Sequence, residues 1–110
     1  MRLALVCTVA MLVVPLNLSL AGESITGKAT WYRGTGGHAA AGSELRQLIG
    51  KGWRGDRVRV CRRGTCRRVV LSDWCGCPGR RIIDLDRSDF KRLANPDRGV
   101  IRVRITTASE

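Results

Sequence analysis

The sequence predicts a mainly β protein, a small closed β-barrel, on three observations. Short runs in which apolar and polar residues alternate recur along the chain, helical patterning is confined to one or two brief segments, and glycine-bearing turns separate most of these elements.

The first run is Ser24 to Tyr32, where Ile25, Gly27, Ala29 and Trp31 alternate with Thr26, Lys28, Thr30 and Tyr32, the period of a half-buried strand. Gly34 to Gly42 follows, rich in glycine and alanine, and is expected to be an exposed loop able to lie along a ligand, with His38 a solvated member of it. Ser43 is expected to cap a short helical turn carrying Leu45, Leu48 and Ile49, which Gly50 and Gly52 end. Asp56–Cys61 and Cys66–Leu71 read as a hairpin, with Val58 and Val60 alternating against Arg57 and Arg59 across the loop Arg62-Arg63-Gly64-Thr65. After a turn-rich stretch containing Gly76, Pro78 and Gly79, the run Arg81 to Leu85 is so apolar at Ile82, Ile83 and Leu85 that burial on both faces is expected. Asp86 or Ser88 then caps a helix placing Phe90, Leu93 and Ala94 on one face, and Asn95-Pro96 stops it. The closing strand, Gly99 to Thr106, turns Ile101, Val103 and Ile105 inward, and the residues after it are expected to fray.

The chain of 110 residues opens with Arg2, an apolar run from Leu3 to Val14 and the small-residue ending Ser19-Leu20-Ala21, the pattern of a secretory signal over residues 1–21. The run is short for a membrane span, and no cysteine follows it at a lipid-attachment spacing, so no stable membrane insertion is expected after cleavage. Residues 22–110 are then one small exported domain, expected to be a monomer. A net charge of +11 on such a protein points to a polyanionic partner at the cell wall; no nucleic-acid motif is present, and export argues against that partner. Cys7 lies in the leader, which leaves Cys61, Cys66, Cys75 and Cys77 for an oxidising compartment. Four cysteines allow three pairings. Cys61 with Cys66 across the hairpin and Cys75 with Cys77 as a local clip are expected, with cross-pairing the rival and a zinc site a further alternative; no metal or cofactor is called for.

Chemistry concentrates between Val69 and Asp86. Asp73 and Asp84 stand at the two rims of a loop joining two strands, a candidate acid/base pair, and Asp84 is expected in the apolar setting of Ile82, Ile83 and Leu85 that would suit a proton-donating acid. Either carboxylate could instead be a turn residue bonded to backbone N–H groups, and Asp86 and Asp89 read as helix-start residues. Trp74, in the polar loop, is the best candidate for stacking on a sugar, ahead of Trp31 and Trp53.

Gly27-Lys28-Ala29-Thr30-Trp31-Tyr32 resembles the Gly-x-Ala-Ser/Thr-Trp-Tyr opening of rare lipoprotein A (RlpA)-like domains. The run from Arg80 to Ala94 and the Gly99 to Ile105 segment are similar to their Ile-Ile-Asp-Leu-Ser, short-helix and Gly-Val closing elements. The layout also resembles the first domain of bacterial expansins, where a loop Asp precedes a second Asp by eleven positions, the separation of Asp73 from Asp84. The resemblance covers nearly all of residues 22–110 and implies a six-stranded double-psi β-barrel directed at peptidoglycan or another anionic cell-wall polysaccharide. Carried over residue by residue, it implies that Asp84 is the general acid/base of a lytic transglycosylase, with Asp73 beside it, Thr30 and Tyr32 in the substrate groove and Glu44 matching a substrate-binding Glu. The sequence departs from the RlpA pattern at Ser72-Asp73-Trp74-Cys75-Gly76-Cys77-Pro78, and Ile49-Gly50-Lys51 stands near the place of an expected Ala-Ala-His. Two alternatives therefore accompany the enzyme: an expansin-like module that binds or loosens wall polysaccharide without cutting it, and a secreted basic interaction protein or inhibitor on the same scaffold.

Overall fold

The computed structural model describes residues 22–107; the expected signal segment and the last three residues lie outside the described part. Among the described residues, six strands and two short helices follow in the order β1 (Ser24–Tyr32), β2 (His38–Ala41), α1 (Ser43–Ile49), β3 (Arg57–Arg62), β4 (Thr65–Trp74), β5 (Arg81–Asp86), α2 (Arg87–Leu93) and β6 (Ile101–Thr107), with a 3-10 turn at Pro96–Arg98. The strands close in the order β1-β5-β2-β4-β3-β6. Two pairs, β1 with β5 and β2 with β4, run parallel, and the remaining four are antiparallel, which is the six-stranded double-psi β-barrel.

Alternation makes the core. Val58, Val60, Val69, Leu71, Ile83, Leu85, Ile101, Val103 and Ile105 are all buried inside the barrel, while the arginines between them point out. Phe90 and Leu93 of α2 close one end: Phe90 is fully buried, its ring centroid 6.5 Å from that of Trp31, whose Nε1 donates to the carbonyl of Pro96 at 2.8 Å. The Asp89 carboxylate, also buried, accepts from the Gly37 N–H at 2.8 Å and forms an ion pair with Arg67 at 3.1 Å, tying α2 to β4 and to the segment before β2.

Several expectations are corrected. The glycine- and alanine-rich stretch is an exposed loop only as far as Gly37; His38–Ala41 is a central strand in which Ala39 and Ala41 have no exposure. Strand propensity is low there, and the segment is held as a strand by its ladders to β4 on one side and β5 on the other. Gly42, not Ser43, is the N-cap residue of α1, with no side-chain bond. The hairpin turn is the two-residue Arg63-Gly64, both at positive φ (50° and 85°), the conformation that suits the twist of antiparallel strands. β4 runs on to Trp74, so Asp73 stands on a strand instead of at the rim of a loop, and Asp84 lies well inside β5. Cys61–Cys66 and Cys75–Cys77 are disulfide-bonded, with Cα atoms 4.0 and 5.1 Å apart, which removes the cross-paired and zinc alternatives.

Asp86 caps α2, accepting from the Ser88 N–H at 2.9 Å and from the Ser88 hydroxyl. That hydroxyl bond first, with help from the Ser88, Gly36 and Gly34 backbone N–H groups and against the effect of burial, holds its pKa below the ordinary 3.8. A depressed carboxyl adds stability that is fully present above the unfolded value and is lost as pH falls through the folded one. Asp86→Asn, which keeps a capping oxygen but cannot titrate, is therefore expected to flatten the loss of stability below about pH 4; denaturant midpoints measured across that range would check it.

Candidate functional site

The site grows from two irregularities of register. Along β1 and β5, Lys28 pairs with Arg81 but Ala29 pairs with Ile83, so Ile82 is an extra residue in the ladder. It packs over Gly27, where a Cβ would come within 2.8 Å of the Ile82 side chain. Along β2 and β4, Ala39 pairs with Leu71 but Ala40 pairs with Asp73, which makes Ser72 extra. Each slip moves an aspartate forward by one place. Thr30 of β1, Asp84 of β5, Ala40 of β2 and Asp73 of β4 consequently stand opposite one another, in one row across four adjacent strands on the outer barrel wall.

In this row the Thr30 hydroxyl donates to Asp84 Oδ1 at 3.0 Å. The Asp84 carboxylate is half-buried on the outer face while Ile83 and Leu85 turn into the core, so its expected apolar enclosure is corrected to an open setting beside a hydroxyl. Ala40 provides a low floor between the two acids. With strands about 4.8 Å apart, the Asp84 and Asp73 backbones are separated by roughly 10 Å. Asp73 is exposed, and its Oδ1 accepts from the Trp74 N–H at 2.8 Å. Tyr32, two residues beyond Thr30 on the same face, is half-buried, and its hydroxyl lies 3.5 Å from the His38 carbonyl. Burial, then Asp86, Asp84, Asp73 and Asp89, raise its pKa above the ordinary 10.0, so it is a neutral phenol at physiological pH.

Beyond Asp73 the surface becomes aromatic. Trp74 is 58% exposed, and the guanidinium of Arg46 lies between it and Trp53, 5.7 and 5.9 Å from the two ring centroids. Arg46 also donates to the carbonyls of Ala41 at 2.6 Å and Cys75 at 3.4 Å, while Arg54 covers Trp53 from another side at 4.6 Å. The loop clipped by Cys75–Cys77 is thereby held against α1 and the end of β2, and it presents Trp74 next to the row. Glu44 lies exposed in the first turn of α1, off the row. The structure thus brings together Thr30, Asp84, Asp73 and Tyr32, sets Trp74 beside them and leaves Glu44 apart. Ala40 and Arg46 carried no signal in the sequence, because a floor methyl and a stacking partner become visible only once β2 and α1 are placed. Among the described residues there is no group of three or more His, Cys, Asp or Glu side chains suited to a metal ion.

Comparison with known proteins agrees with this architecture. A stretch of 54 residues, 47% of this chain, is 48% identical to an uncharacterized protein of Synechocystis sp., and the match spans 56% of that relative's length. Among solved structures, the Streptomyces papain inhibitor matches with a TM-score of 0.63 and 26% identity, over 80% of this chain and 96% of the inhibitor. An aspartate-to-asparagine mutant of the Clavibacter michiganensis expansin, in complex with cellohexaose, matches with a TM-score of 0.64 and 21% identity, over 78% of this chain and 50% of the expansin. The model of the lytic transglycolase family, double-psi β-barrel domains of the RlpA-like type, matches residues 24–105, from the first residue of β1 nearly to the end of β6, and the chain belongs to that family.

Proposed function

We propose that the domain is an exported, wall-directed protein that cleaves peptidoglycan glycan strands as a lytic transglycosylase, with Asp84 as its acid/base. The observation that carries the reading is the Thr30–Asp84 pair, a single hydroxyl-supported carboxyl group on an open wall of the barrel. Family membership and the saccharide held by the expansin support a linear glycan as the ligand class. A transglycosylase needs only one such group. Protonated Asp84 gives its proton to the glycosidic oxygen as the C1–O bond breaks. The carboxylate then takes the proton of the muramoyl 6-hydroxyl as that oxygen bonds to C1, which closes the anhydro ring and returns Asp84 to its starting state. Thr30 orients Asp84, while Tyr32, Trp74 and Asp73 contact sugar rings and hydroxyls on either side of the bond. Export follows from residues 1–21, acts before folding in an oxidising compartment and accounts for the two disulfides. The protein works as a monomer on this reading.

The test is incubation of the oxidised protein from Gly22 with purified sacculi, followed by mass spectrometry of the soluble products. Anhydro-muramoyl fragments are expected. Protein bound to the pellet with no fragments released would replace the enzyme with an expansin-like binder. Trp74→Ala is expected to weaken retention on sacculi by roughly five- to a hundredfold, the worth of about 1 to 3 kcal/mol for one aromatic stacking surface, and a pelleting titration would measure it. The second reading, an inhibitor of a cysteine protease, is favoured by the match to nearly the whole length of the papain inhibitor and by the exposed, disulfide-clipped loop behind Trp74. Dose-dependent inhibition of papain, lost in Trp74→Ala, would establish it.

A further inference from the structure

The two sides of the barrel differ in charge. Acids gather around the row, with Asp84 on β5 and Asp73 near the end of β4, whereas the outer face of β6, β3, the first half of β1 and β4 as far as Val70 bears exposed Lys28, Arg102, Arg104, Arg57, Arg59 and Arg68. Register sets these side chains against one another: Lys28 faces Arg102, and Arg59 faces Arg68. Thr26 lies opposite Arg104, Thr106 opposite Arg59, and Cys61 opposite both Arg104 and Cys66, so hydroxyls and a disulfide fill the space between cations. From Ser24 to Lys28 on β1, from Arg57 to Val70 on β3 and β4, and along β6, no outward-facing residue carries a carboxylate; Glu23 and Asp56 lie just beyond the strand ends, and Asp73 stands farther along β4 in the acid row. Among the described residues the ion pair is Arg67 with Asp89, which uses none of these cations. Like charges placed directly opposite on a sheet destabilise it, and the core strands need no arginine on their outer side. The repulsion is relieved when an anionic ligand lies across the face.

We propose that this face is a second binding site, distinct from the Asp84 row, that docks a linear polyanionic wall polymer bearing a phosphate or carboxylate at each repeat. Cations about 4.8 Å apart across the strands and about 6.8 Å apart along them form a lattice suited to closely spaced anions. Within these bounds the face has no aromatic side chain on which nucleic-acid bases could stack, Tyr32 and Trp74 standing at the far ends of β1 and β4 beside the acid row. Its apolar side chains are half-buried Val70 and, at its edge, Val100, which gives a bilayer little to take up. The choice of a wall polymer among polyanions rests on the exported reading above; the site itself does not. Bound there, the polymer would hold the domain on the wall while the acid row remains open to glycan.

The experiment titrates the oxidised protein from Gly22 with purified poly(glycerol phosphate) wall teichoic acid at several salt concentrations. Arg59→Gln with Arg104→Gln is expected to weaken binding on the order of tenfold and to make its salt dependence shallower, with a thermal midpoint that does not fall and rises as far as the Arg59–Arg68 repulsion is relieved. Lys91→Gln with Arg92→Gln, which removes the same charge from α2, is expected to cost far less, and Asp84→Asn nothing. Equal losses from the two double variants, an unchanged affinity in the first, or tighter binding to a 30-nucleotide single-stranded DNA or to phosphatidylglycerol vesicles would overturn the proposal. Absence of glycan cleavage would sink the role of Asp84 and leave the polymer titration standing.

Discussion

Asp84→Asn is expected to lower the release of anhydro-muramoyl fragments by at least about a hundredfold while the protein still binds sacculi, because a positioned acid/base contributes roughly a hundred- to ten-thousandfold. The amide keeps the shape of the side chain and can still accept from the Thr30 hydroxyl, so binding geometry is retained and only proton transfer is lost. Asp84 is half-buried on the outer wall and outside the core, so its replacement should leave the thermal midpoint within a few degrees, which separates a chemical role from a barrel-closing one. Thr30→Val provides the companion test. It removes the orienting hydroxyl and is expected to lower cleavage about tenfold, more in kcat than in KM, if Thr30 acts by positioning Asp84. Asp73→Asn should cost less than either, because the Asp73 carboxylate sits two strands away and already accepts from the Trp74 N–H. Full activity in Asp84→Asn would end the acid/base assignment.

Phe90→Ala should destabilise the domain by about 3 to 5 kcal/mol, a large part of what a chain of this size can hold. Phe90 is fully buried where α2 closes the barrel end, against Trp31, and its removal leaves a cavity that the strands around it cannot collapse into. The midpoint of thermal unfolding is expected to fall by well over 10 °C. The effect should reach the site as well. α2 is capped by Asp86, the carboxylate that acts most strongly on Tyr32, and Trp31 lies between Thr30 and Tyr32 in the chain. Hydrogen exchange at Thr30, Tyr32 and Asp86 would therefore rise in Phe90→Ala at temperatures where β3 and β6 remain protected.

What the sequence determined by itself follows from local pattern. Alternation set the inward residues of β1, β3 and β6, the Asp86 cap and the Phe90 face of α2 were readable at helical spacing, and the separation of Asp73 from Asp84 with Gly27–Tyr32 pointed to the family. Those features need only neighbours in the chain. β2 was not readable, because His38-Ala39-Ala40-Ala41 has no β-branched residue and becomes a strand only through hydrogen bonds to β4 and β5 contributed from elsewhere. The row of Thr30, Asp84, Ala40 and Asp73 was hidden for a related reason. Strict alternation would oppose Thr30 to Ile83 and Ala40 to Ser72, and only the extra residues Ile82 and Ser72, accommodated in two parallel ladders, bring both aspartates onto the outer wall. The charge of +11 was plain in the composition, but its sorting was not: the side of the barrel on which a cation stands depends on register between strands far apart in the chain, and register belongs to the closed barrel.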